Sequence, residues 1–121
     1  MSSWFGFNST KSTEEIQAPD VCFIGEQDGV PERRLKERLS EFFGTDRSVT
    51  AAYLVRVQYP DSTSIALCLR SASNAQSHIV DEVGGIFRSM FGPQEHLDII
   101  FLTARMESEL VTVCRPFFEA V

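Results

Sequence analysis

Cysteine is scarce and scattered in this chain. Cys22, Cys68 and Cys114 are an odd set with no close pair, so neither a CxxC metal knuckle nor a disulfide framework is available. A reducing compartment follows, and a cytoplasmic protein of bacterial style is expected. Basic charge is also short. Eleven Lys and Arg stand against 17 Asp and Glu, a net charge of −6, which disfavours a phosphate backbone as partner and suits a basic protein surface. No run approaches the roughly 18 apolar residues of a membrane span. The opening "MSSWFGFNSTKSTEE" also lacks the basic start and sustained apolar core of a secretion signal. Nucleic acid and membrane are therefore not expected as partners.

What is present suffices for one domain: 121 residues, 43% of them hydrophobic, can form a core without metal or disulfide help. Residues 8 to 19, "NSTKSTEEIQAP", are polar and close on Pro19. They predict a mobile leader over 1–19 and a single folded domain over 20–121.

"DVCFIG" (20–25) reads as a strand, with Gly25 and Gly29 supplying the turn after it. "VPERRLKERLSEFFG" (30–44) reads as a helix. Pro31 suits its first turn, Leu35, Leu39, Phe42 and Phe43 repeat at helical spacing, and Gly44 serves as a stop. "VTAAYLVRVQYPDSTSIALCLRSA" (49–72) predicts a hairpin about "PDST". A second helix follows over 74–93, striped by Ile79, Val83, Ile86, Phe87 and Met90, then a buried strand, "HLDIIFLTA" (96–104), and a short helix that Pro116 terminates.

Strand, helix, strand, strand, helix, strand is the order of a ferredoxin-like α+β fold. Its plan is a four-stranded antiparallel sheet, two helices on one face, and here a short C-terminal helix and tail. Such a sheet should be polar on its open face, yet Ile100 and Leu102 back onto Leu97, Ile99 and Phe101, and Ile24 backs onto Phe23. Something must cover the second face. The sequence offers the C-terminal "ELVTVCRPFFEAV", with Phe117 and Phe118, the N-terminal "WFGF", with Trp4 and Phe5, or another chain, including a second copy in a homodimer.

Chemistry is harder to find. Cys114 beside Arg115 could be an activated thiol, but no base is linked to it, so a buried packing cysteine is expected. His78 and Glu82 share a helix face and supply two of the three or four ligands a zinc site needs. "ERRLKER" (32–38) interleaves Glu32 and Glu37 with its cations, a solvated salt-bridged face. No catalytic residue, metal or cofactor is assigned, and a non-catalytic protein is expected.

The helix from Pro31-Glu32, the strand "AAYLVRV" (51–57), "LDIIFLTA" and the closing "CRPFFE" resemble the C-terminal domain of the SseB family, the enhanced serine sensitivity proteins, over residues 20 to 119. In longer members another domain precedes this one. The family carries no agreed catalytic residues, so the resemblance implies an interaction module. One alternative is an immunity protein that neutralises a toxin. Another is a serine-responsive ligand-binding domain whose loop amides, at Glu26, Asp28 and Gly29, would hold a carboxylate.

Overall fold

The computed structural model describes residues 13–16, 21–71 and 76–120, and its two long helices follow directly from local sequence. In α1, Val30–Asp46, Pro31 occupies the first turn and Leu35, Leu39 and Phe43 are buried at four-residue intervals. Gly44 does not stop it. The helix runs two residues further, and Arg47 takes the left-handed capping conformation (φ 71°), its N–H donating to the Phe43 carbonyl. In α2, Gln76–Met90, the buried stripe is Ile79, Val83 and Phe87.

The sheet departs from the expected plan. Its strands are β1 (Thr13–Ile16), β2 (Cys22–Glu26), β3 (Val49–Tyr59), β4 (Ser62–Ser71), β5 (Leu97–Phe101) and the two-residue β6 (Phe118–Glu119). The spatial order is β1-β5-β4-β3-β2, with β6 on the side of β3. The predicted hairpin is present as β3 and β4, and the mixed α+β class and the β-α-β-β-α-β order both hold. The antiparallel interleaving does not: β4 and β5 are parallel neighbours joined through α2, and β2 and β5, expected side by side, lie apart with β3 and β4 between them. The reason lies in the length of β2. It pairs only with residues 55–58 of β3, so α1 spans the remaining distance back to Val49 and β3 returns antiparallel to β2. The segment read as a leader supplies a further strand, β1, parallel to β5.

The outer edge of β3 is used twice. β2 takes its second half, and β6 pairs with Ala51 and Ala52 in its first half. Between them the Leu54 carbonyl accepts the Gln27 N–H at 3.0 Å and the Cys114 thiol at 3.6 Å. Both faces of the sheet are buried. Ala52, Leu54, Ile65, Leu67, Leu69, Leu97 and Ile99 face the two long helices. Ala51, Tyr53, Val55, Val57, Ala66, Cys68 and Ile100 face the other way and pack with Leu110 and Cys114.

That second face is covered by the short helix α3 (Ala104–Leu110) and the turn after it. Thr103 caps α3 by accepting the Met106 N–H at 3.1 Å. The Phe-Phe pair is not the cover: Phe117 and Phe118 pack into the core on the helix side, with Phe118 against Phe43. The front half of "ELVTVCRPFFEAV" thus covers the face, and the back half closes an edge. Replacing fully buried Leu110 by Ala should cost about 2–4 kcal/mol, whereas Val111→Ala, half-exposed next door, should cost under about 1 kcal/mol. Urea unfolding measures both; an unchanged L110A midpoint would mean that α3 does not seal the face.

Candidate functional site

The loop expected to hold a carboxylate is filled from within. The Gly29 backbone N–H and the Arg33 side chain bond to Asp28, with Lys36 nearby, and together they hold its carboxyl below the usual range. Arg33 lies 3.4 Å from Asp28, and Lys36 lies 3.3 Å from Glu26 and 3.7 Å from Asp28. The cations of "ERRLKER" thus reach back to this loop. Glu32, expected on a solvated face, is buried (3% exposed) and accepts the Gln27 amide at 2.8 Å, while Arg56 donates to Gln27 Oε1 at 3.0 Å. Gly29 has φ 153°, and a Cβ there would stand 2.5 Å from Glu32 Oε1, so the turn needs glycine. Three acids, Glu26, Asp28 and Glu32, surround these amides, a setting that favours a cationic visitor over an anionic one.

Two polar clusters lie on the second face. Tyr53 donates to Glu107 Oε2 at 2.6 Å, and Arg70 Nη1 stands 3.6 Å from the same oxygen. These contacts tie α3 to β3 and β4. Burial first, then the bond to Glu107, pushes the Tyr53 phenol above its ordinary range. Further along, Tyr59 donates to Asp98 Oδ2 at 2.7 Å, and His96 Nε2 bonds to Asp98 Oδ1. Sequence reasoning missed this trio because Asp98 looked like one member of an alternating strand; the available signal was a carboxylate two residues from a histidine. An Asp-His pair is half of a proton relay, but Asp98 is only 3% exposed and His96 Nδ1 is buried with no partner among the described residues.

The thiols divide by burial. Cys22 is exposed, whereas Cys68 and Cys114 are buried. Burial raises Cys68 well above its usual value. Burial, then the Glu26 carboxylate, pushes Cys114 up to about 12. The charges acting on Cys114 are Glu26 and Lys36, not Arg115, so the expected packing cysteine is what the fold contains. His78 lies 3.3 Å from Asp46 and edge-on to Phe42, and among the described residues no group of three metal-binding side chains occurs. No helix among them is long and apolar enough to cross a membrane.

The residues expected to form one apolar surface are dispersed. Ile100 is buried and Leu102 partly buried beneath the second face. Phe117 and Phe118 lie on the opposite side of the sheet, and Trp4 and Phe5 fall outside the described residues. Of those that are described, Ile24 alone is open, 47% exposed on β2; Val30, Val111 and Val113 are the other exposed large hydrophobics among the described residues.

The family model described as the SseB protein C-terminal domain matches residues 24–120. No curated protein and no solved structure matches the chain.

A soluble thiol reagent at neutral pH should label Cys22 and leave Cys68 and Cys114 intact until the protein unfolds. Because the folded Cys114 holds its proton up to about 12 against an ordinary 9.0, the unfolded chain releases protons first. The stabilising contribution is therefore complete below about pH 9 and lost as pH rises from there towards 12. Cys114→Ala should flatten that alkaline decline in a melting-temperature series; an unchanged slope would show that Cys114 is not its source.

Proposed function

The chain belongs to the SseB protein C-terminal domain family, and from that premise we propose that it is a non-catalytic, cytoplasmic protein-interaction module. The observation that carries this reading is Ile24. It stands 47% exposed on the last strand of the sheet path, with Cys22 and Glu26 exposed on the same strand and Asp28 exposed just beyond. An apolar contact beside an acidic rim, on a chain of net charge −6, suits a partner with a basic surface around an apolar pocket.

The burial of the candidate chemical groups among the described residues is in keeping with the non-catalytic part, Cys22 being their one exposed thiol. Two of the three thiols are buried with raised pKa, and the Asp98 carboxylate is buried beneath Tyr59 and His96. A toxin-neutralising role would be one form of this reading, since a basic enzyme is the kind of target an acidic rim captures quickly. The same rim weighs against a serine-type ligand, whose carboxylate would face Glu26, Asp28 and Glu32. The strand itself is protected from indiscriminate pairing: the register with β3 shifts between Phe23 and Gly25, and a bulge with charged neighbours blunts an edge.

A photoreactive side chain at position 24 should crosslink in cells to one discrete species. Mass spectrometry then separates a second copy of this chain, a homodimer, from a basic partner. Glu26→Lys should abolish the product, while the same probe at Arg105, on the exposed side of α3, should not form it. No discrete product at position 24, or one indifferent to E26K, would sink the reading.

A further inference from the structure

A half-open cleft of about 490 Å³ lies between the end of α1 and β6. Its apolar wall is the part-buried Phe118, backed by the fully buried Phe43, the two ring centroids standing 5.6 Å apart at 55°. Two residues lining it break the local rules of the helix they end. Gly44 occupies a helical position where alanine would be more stable, and a Cβ added to it would meet nothing within 4 Å. Arg47 holds φ 71°, a conformation that favours glycine or asparagine and is strained for a long side chain. Strain of this kind persists where the surrounding structure enforces it, and it gathers at binding sites.

The charge of Arg47 is also unused. Asp46 is taken by Ser48 and stands 3.3 Å from His78. Glu119, which also lines the cleft, stands in register with Ala51, a residue of the opposite face of the sheet. Among the described residues the Arg47 guanidinium has neither a hydrogen-bond nor an ion-pair partner. The helix end would ordinarily repel an anion through its open carbonyls, but here the Thr45 hydroxyl bonds the Phe42 carbonyl and the Arg47 N–H bonds that of Phe43. A cation, the part-buried Phe118 ring with Phe43 packed behind it, and a gap left by a missing side chain combine one polar anchor with an apolar wall, as a small-ligand site does.

We propose that this cleft binds an apolar carboxylate, its ring or branched chain against Phe118 and its carboxylate on Arg47. The shared chemistry could be presented by a free acid or by the C-terminal end of a peptide. The site is separate from the β2 surface, so the two proposals stand or fall independently.

The test is an NMR titration of the full chain with 3-phenylpropionate, with 3-phenylpropan-1-ol as the uncharged control and with a short peptide ending in phenylalanine beside its amidated form. Saturable shifts at Phe43, Gly44, Arg47 and Phe118 are expected with the acid, and binding of the alcohol should be at least about tenfold weaker, the effect of one charge-assisted contact. Tighter binding of the free peptide than of its amide would identify a peptide end as the source; binding of the small acid alone would identify a free metabolite. Arg47→Gly relieves the backbone strain and should melt no lower than the parent while losing the acid. Gly44→Leu fills the gap, favours the helix and should also block binding. Equal affinity for acid and alcohol, full binding by R47G, or no saturable shift at millimolar probe would each overturn the proposal.

Discussion

The outer edge of β3 is the constraint on which the rest of the fold depends. An eleven-residue strand, apolar towards both layers, must have its backbone paired on both sides, because unpaired N–H and C=O groups beneath a core are expensive. One side is met by β4 along its whole length. The other is met in two pieces from opposite ends of the domain, β2 and β6, with the Leu54 carbonyl as the seam between them. The shortness of β2, the direction of α1 and the position of the Phe-Phe tail all follow from that division.

Covering both faces then decides how the polar residues are used. Two long helices lie on one layer, and a seven-residue helix with its following turn lies on the other. A helix that short has little stability of its own, which accounts for its fastenings: the Thr103 cap, the Tyr53–Glu107–Arg70 cluster and the buried Leu110 and Cys114. Cys114, which looked like chemistry in the sequence, is in the fold one of the means by which a small cover is held down. Among the described residues, Ile24 and its acidic neighbours stay open on one side of the molecule and the Arg47 cleft on another.

Much of this was legible in the sequence. Leu35, Leu39 and Phe43, and likewise Ile79, Val83 and Phe87, announce their helices by spacing, "PDST" announces its hairpin, and Ile99 beside Ile100 announces a strand buried twice. Neighbour order was not legible. Nothing in "VCFIGE" says that β2 reaches only halfway along β3, and the crossover rule then favours an interleaved sheet that does not form. Glu32 was misread for a related reason: its helical spacing beside Arg33 and Lys36 points to solvent, and only the turn at Gly29 folds it inward onto Gln27. The left-handed cap shows the same limit. Gly44 is the expected stop, and the helix passes through it to end on an arginine. Asp98 and Tyr59 are drawn together across β4 by pairing, which no local pattern encodes.

The divided edge also sets an order of events during synthesis. Val49 to Tyr59 can pair with Ser62 to Ser71 as soon as that hairpin is made, and α1 can settle against it. The backbone at Ala51 and Ala52, however, stays unpaired until Phe117 to Ala120 have been translated, long after the strand they complete. Until then the nascent domain presents an open strand edge with Phe43 beside it, the kind of surface on which folding intermediates associate, and closure of that edge is a late, long-range step in reaching the native state.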